Sequence, residues 1–252
     1  MTIARTIHLA LERWPRTHGF AKRVYRRWRA VRGKRITSTI KGLRYTQICP
    51  DLIASKRDAG DAFRAVWEVY SHSPADKCDP VHMDAIRLVH FFNLINAANK
   101  LPAGDYIELG TFRGFTLRVI HKFMDHQRTL YSLDTFEGFD QKDINSESNL
   151  RTHNWEAGSF MPTSPEGVAS YVGDGEWPRN LKVIKGWFPD SYKGLEDRRW
   201  RFVHIDFDLY QPIKTALEIL WDQLLPGGVV MVHDSGCLEY PGARHAVDEF
   251  CT

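Results

Sequence analysis

No run in this sequence approaches the roughly 18 uninterrupted apolar residues that a membrane span requires, so the chain reads as non-spanning. Cysteine is scarce and unpaired in sequence. Cys49, Cys78, Cys237 and Cys251 form no CxxC pair, which favours reduced thiols over a disulfide framework or a zinc site. The G-x-G-x-x-G turn of dinucleotide-binding folds is absent, as are internal repeats and low-complexity tracts. The bulk of the chain also lacks excess positive charge. Residues 36–252 hold 23 Lys/Arg against 30 Asp/Glu, whereas residues 1–35 hold 11 Lys/Arg and one acid, Glu12. A mildly acidic body argues against a nucleic-acid partner and leaves only the leader able to touch an anionic surface. A cytoplasmic location fits these features, with peripheral membrane contact as an option for the leader.

What is present is enough for one α/β domain with a real core and an N-terminal extension: 252 residues, 43% apolar and 12% aromatic. Residues 1–35 read as a basic amphipathic helical leader, with helices over 3–14 and 20–31. Phe20, Val24, Trp28 and Val31 recur at helical spacing opposite Lys22, Arg23, Arg26, Arg27 and Arg29. Such a helix can lie on an anionic membrane surface, pack on the body or fray. It lacks the apolar core of a secretory signal and is poor in serine for a transit peptide. Residues 36–100 read as a helical region, with a helix near 61–70 and a clear amphipathic one over 82–98 whose stripe is Ile86, Val89, Phe92 and Ile95. His82 and His90 are given packing or surface roles.

From residue 101 onward the pattern alternates. YIELG (106–110), LYSLD (130–134), LKVIKG (181–186), FVHID (202–206) and VVMVHD (229–234) read as strands. Between them lie a glycine turn feeding a helix (111–124), a polar loop over 137–161 and a capped helix starting at TSPE (163–166). A short helix is expected from Phe188-Pro189-Asp190, and another helix from Pro212. Alternating strands and helices predict a parallel, doubly wound sheet. In such a sheet the strand C-termini share one edge, where ligands bind. Asp206, Asp208, His233 and Asp234 should therefore converge. At the first strand-to-helix turn, Glu108, Gly110 and Gly114 let backbone approach a ligand, and Asp134 ends the second strand where a carboxylate can accept a ribose. Without a pyrophosphate-binding turn, a nucleoside ligand fits better than NAD. A tight turn with a surface Asp is the plainer alternative, and helix-capping acids ahead of Pro212 are the plainer account of Asp206 and Asp208.

The strings YIELGTFRGFT, LYSLDTFEGF, VHIDFDLYQP and LPGGVVMVHDSG, with PGARHAVDEF behind them, span roughly 100–250. In order and spacing they resemble class I S-adenosylmethionine-dependent methyltransferases, and more narrowly the macrocin O-methyltransferase family. The resemblance implies a Rossmann-like sheet of order 3-2-1-4-5 and a cofactor site made by Glu108, Gly110, Thr111, Gly114, Asp134 and Thr135. Gly186 and Trp187 would lie near the adenine. It also implies a divalent ion, usually magnesium, on carboxylates after strands four and five, here Asp206, Asp208 and Asp234; Asp206 could ligate the ion or take the proton, and His233 is a second catalytic candidate on its own chemistry. The acceptor would be a sugar hydroxyl on a glycosylated natural product or a glycan.

Two departures from the family pattern stand out. Where the family usually has Asp-Asp after strand five, this chain has His233-Asp234. Either the three aspartates suffice for magnesium, or a transition metal is used, or no metal binds and His233 is the general base. His204, placed one face away from Asp206 on its strand, reads as a buried structural residue. Second, the family fold usually continues past strand five with a helix and a hairpin. The sequence predicts strand five at the sheet edge, in a C-terminally short domain or covered by the N-terminal region or by another chain, as in a homo-oligomer. A catalytically inactive, cofactor-binding or structural homologue is the alternative from another class, and a NAD-dependent sugar enzyme a third.

Overall fold

The computed structural model describes residues 85–147, 156–160, 163–236 and 240–252. The leader helices, the helix near 61–70 and His82 fall outside the described residues. No helix among the described residues is long and apolar enough to cross a membrane.

Five parallel strands form one sheet in the order β3-β2-β1-β4-β5. They are β1 Asp105–Leu109, β2 Leu130–Asp134, β3 Leu181–Lys185, β4 Trp200–Ile205 and β5 Leu224–Val232. The helices are α1 Ala85–Asn99, α2 Phe115–Phe123, α3 Gln141–Ser146, α4 Pro165–Val172, α5 Tyr210–Leu220 and α6 Pro241–Phe250. Every residue of β4 is buried, as expected of a parallel strand covered on both faces. On one of those faces Phe91 of α1 sits edge-on to Phe202 and His204, with centroids 5.8 and 4.9 Å apart. On the other, Ile213, Ala216, Leu217 and Leu220 of α5 and Ala243 and Ala246 of α6 join Val203 and Ile205 in the core.

Arg201 is fully buried. Its guanidinium donates to the carbonyls of Ala103 (2.9 Å) and Leu101 (2.7 Å) and lies 3.2 Å from Asp125. Those partners satisfy the buried cation and tie the entry to β1 and the end of α2 to the foot of β4.

The expected strands are all present, with shifted ends. β5 starts at Leu224, five residues before the apolar run, because a register irregularity between Trp200 and Phe202 absorbs Pro226, Gly227 and Gly228. Among the described residues β5 pairs only with β4, so it is an edge strand, half-buried over Val229 to Val232. Helix α5 begins two residues ahead of Pro212, which sits in the first turn, where no intrahelical bond is lost. The helix expected after Pro189 is a single 3₁₀ turn, Asp190–Tyr192. The polar loop over 137–161 contains α3, capped by Asp140, which accepts from the amide of Lys142. Polar composition concealed this helix because it buries only Ile144. In α1 the buried positions include Phe91, Ile95 and Ala98, while Phe92 packs edge-on against Phe123 at 4.8 Å.

Two local features carry predictions for stability. Ser164 caps α4, accepting from the amide of Gly167 at 3.1 Å. Ser164→Ala should cost about 1 kcal/mol in denaturant unfolding, the usual value of such a cap. Tyr192 is almost fully buried, and its hydroxyl donates to Gln223 Oε1 while accepting from Trp200 Nε1 at 2.8 Å. Burial pushes its pKa up to about 12. A raised pKa stabilises the fold fully below the unfolded value near 10, and that stability is lost as pH rises through about 12. Two units correspond to about 3 kcal/mol. The stability gap between wild type and Tyr192→Phe should therefore narrow or reverse between pH 10 and 12, read by urea midpoints.

Candidate functional site

The carboxyl edge of the sheet is built by backbone bonds that continue the ladder past the strand ends. The amide of Gly110 donates to Leu133 (2.9 Å), that of Asp206 to Leu109 (2.7 Å) and that of His233 to Ile205 (2.8 Å). Gly110 takes a left-handed φ of 80°. A Cβ there would overlap the Asp206 carbonyl, whose carbon would be 2.7 Å away. Only glycine lets the end of β1 pass this close to the end of β4. The two halves of the site anticipated from sequence are thus in backbone contact.

On the β1 side, Asp134 organises the turn. One of its carboxylate oxygens accepts from the amides of Thr111 (2.7 Å) and Phe112 (2.9 Å), and the other from Phe136 (2.7 Å). The Thr111 hydroxyl lies 2.7 Å from that of buried Ser132. The Thr135 hydroxyl accepts from Glu137 (3.1 Å) and donates to the carbonyl of Gly138 (3.0 Å), so it shapes its own turn. Gly186 donates its amide to the Asp134 carbonyl at 2.9 Å, which brings the end of β3 and Trp187 alongside. Gly114 is left-handed at φ 85° and starts α2, but a Cβ there would meet Val168 of α4 at 3.0 Å. The structure gives Gly114 a helix-packing role. Eight anticipated positions, Glu108 to Trp187, therefore fall on one stretch of the edge, with Asp134 already engaged by three amides.

Glu108 and His204 are both fully buried and adjacent in register on β1 and β4. His204 Nδ1 lies 2.9 Å from Glu108 Oε1. Burial raises the Glu108 pKa, an effect opposed by His204 and Thr116. His204 is buried as expected, but not one face away from Asp206. Residues two apart share a side of a strand, and a ring nitrogen of His204, one of His233 and an oxygen of Asp206 all lie within 4.8 Å of one another.

The β4 and β5 ends carry the acids. One oxygen each of Asp206, Asp208 and Asp234 lies within 4.8 Å of the others. Asp208 and Asp234 hold left-handed backbones, φ 61° and 54°, the conformation that turns both side chains into one cluster. His233 Nδ1 is 2.9 Å from Asp206 and 3.2 Å from Asp234. Burial, then Asp206 and Asp234, raise the Asp208 carboxyl well above the usual carboxylate range. For His233, burial opposes the charged ring, but Asp206 and Asp234 outweigh it and raise its pKa well above the ordinary value. Three acids around one imidazole are a cluster that a cation would relieve, and carboxylate oxygens are donors suited to a hard divalent ion.

The sequence from residue 82 to 252 matches the family model described as macrocin-O-methyltransferase (TylF). The chain belongs to the macrocin O-methyltransferase family. Among curated relatives it is 30% identical over 146 residues to the 8-demethyl-8-(2,3-dimethoxy-alpha-L-rhamnosyl)-tetracenomycin-C 4'-O-methyltransferase of Streptomyces olivaceus, covering 54% of each chain. It is 27% identical over 157 residues to the mycinamicin III 3''-O-methyltransferase of Micromonospora griseorubida, covering 58% of this chain and 60% of that one. The chain thus spans between half and two thirds of the curated relatives it matches. Among solved structures, the O-methyltransferase NovP aligns with TM-score 0.55 at 20% identity, covering 76% of this chain and 88% of that one. The calicheamicin methyltransferase CalS11 aligns with TM-score 0.54 at 17% identity, covering 75% and 83%. At these identities the two structures establish the fold, the Rossmann-like methyltransferase sheet of order 3-2-1-4-5.

Sequence reasoning missed Glu147. This acid of the β2–α4 segment is buried and accepts from the amide of Tyr210 at the start of α5. It also abuts the start of α6, where a Cβ on Gly242 would stand 2.6 Å from its carboxyl carbon. No periodicity marks it; a lone acid in a polar loop gives no local signal of burial.

Proposed function

We propose that this chain transfers a methyl group from S-adenosylmethionine to a sugar hydroxyl of a glycosylated small molecule or glycan, assisted by a divalent cation. The supporting observation is the convergence of Asp206, Asp208 and Asp234 at the ends of β4 and β5, directly against the Gly110 turn of β1. In a macrocin O-methyltransferase family member, an acid cluster beside the Asp134 turn supports this reading. The names of the two curated relatives point to sugar hydroxyls as the acceptor class.

Glu108, Thr111, Asp134, Gly186 and Trp187 would hold the cofactor, with Gly110 letting the end of β4 close against the same turn. Asp134 accepts three amides and so keeps about one acceptor position for a ribose hydroxyl. Asp206, Asp208 and Asp234 would hold the cation. When bound, the sulfonium supplies an activated methyl carbon and the cation lowers the pKa of an acceptor hydroxyl. The protein's own contribution is alignment of that oxygen with the methyl carbon and exclusion of water. His233 Nδ1 stands between Asp206 and Asp234 and would help to orient both acids. Isothermal calorimetry with S-adenosylhomocysteine tests the reading. Saturable binding is expected, and no heat at millimolar ligand overturns it.

A further inference from the structure

The ligand set at the end of β4 contains more than carboxylates. We propose that the ion at this site is a transition ion of the zinc or cobalt class, held through His204 and His233 together with Asp206, in preference to magnesium. Four observations carry this. His204, Asp206 and His233 each present a donor atom, all within 4.8 Å of one another, and Asp206 is shared with the all-oxygen set. The distances of His233 Nδ1 from Asp206 and Asp234 are 2.9 and 3.2 Å. Donors bonded at ~2.1 Å to one ion lie roughly 3.0–3.4 Å apart along the edges of its polyhedron, so His233 already stands near ligand spacing from Asp206 and Asp234, with a His204 nitrogen within 4.8 Å of His233 and Asp206. His204 is fully buried and, among the described residues, its Nε2 has no hydrogen-bond partner, although a buried ring nitrogen left unpaired is costly. Finally, Glu108 holds the other nitrogen of that ring at 2.9 Å. A carboxylate that accepts from Nδ1 fixes the tautomer in which Nε2 carries a lone pair, the arrangement that backs histidine ligands in metal sites. Imidazole donors favour zinc, cobalt or copper over magnesium.

Use of this ion in methyl transfer rests on the reading in the preceding section; the metal site itself is tested without it. The full chain, stripped with chelator, is loaded with cobalt(II), and its visible spectrum is recorded. Intense bands of a four- or five-coordinate, nitrogen-bearing ion are expected. The weak bands of an all-oxygen octahedral ion overturn the proposal. His204→Gln and His233→Asp should each change that spectrum and weaken zinc binding at least tenfold in competition with a chromophoric chelator. His233→Asp should also shift retention toward magnesium after dialysis against both ions. Because His204→Gln alters a fully buried position, His233→Asp, just past the end of β5 where the side chain keeps 14% exposure, keeps the test decisive if the former fails to fold. An unchanged spectrum in either folded variant overturns the proposal. Calorimetry with S-adenosylhomocysteine on the same samples separates the two readings: cofactor binding without the spectrum removes the transition ion alone, and the spectrum without cofactor binding removes the methyltransferase reading alone.

Discussion

Asp206→Ala is expected to abolish methyl transfer to a sugar acceptor while leaving S-adenosylhomocysteine affinity within about threefold of wild type. Asp206 is the one residue common to both donor sets at the end of β4. It is also 2.9 Å from His233, so its loss removes an ion ligand and half of what orients the imidazole. Groups that act as a unit lose most of their effect when one member is removed. A fall of at least ~10³-fold in turnover is expected, about 4 kcal/mol of transition-state stabilisation. The turn proposed to hold the cofactor is built from Asp134, Thr111 and Gly186, whose bonds do not involve the Asp206 side chain. A radiolabelled methyl-transfer assay paired with calorimetry reads both halves. Turnover above a tenth of wild type would remove Asp206 from the mechanism.

Gly110→Ala should be strongly damaging. The new methyl would overlap the Asp206 carbonyl, and the φ of 80° is one that alanine resists. The obstructing atoms are backbone at the junction of two central strands, so relief requires β1 and β4 to part. Overpacking and backbone strain together put the cost at about 3–5 kcal/mol, or a fall of roughly 10 °C in Tm for a domain of this size. Cofactor binding should be lost as well. Gly194→Ala is the matched control, with φ 91° and nothing within 4 Å of its added carbon. It carries only the conformational penalty, about 1 kcal/mol. Equal thermal shifts for the two variants would show that the close approach at Gly110 is not what holds the edge together.

The elements that proved legible in sequence share a physical property. Strands such as Leu130–Asp134 and Trp200–Ile205 are buried on both faces and so read as continuous apolar runs ending in charge. The convergence of Asp206, Asp208, His233 and Asp234 followed from the rule that parallel strands end on one edge. Features that escaped are those fixed by tertiary geometry. The three amides on Asp134 come from residues 22 and 23 positions earlier and 2 later, which no local pattern encodes. His204 shares a side with Asp206, two residues on, as the period of its own strand requires. Its register with Glu108, visible only once β1 and β4 pair, sets its role. The early start of β5 likewise depends on a register irregularity opposite β4.

The Glu147 carboxylate has a consequence for any exchange of the segment after β2. Segments between the second strand and the following helix are natural cassettes for exchange among relatives, since they overhang the carboxyl edge. Here that cassette carries the acid that accepts from Tyr210 and packs on Gly242, at the starts of two helices. Swapping it wholesale would remove a keystone from α5 and α6, and a chimera could fail by unfolding before its selectivity was ever measured. Splice points drawn just after residue 147 keep the keystone, and any replacement must still supply the ring that Phe160 sets against Phe112 and Phe139.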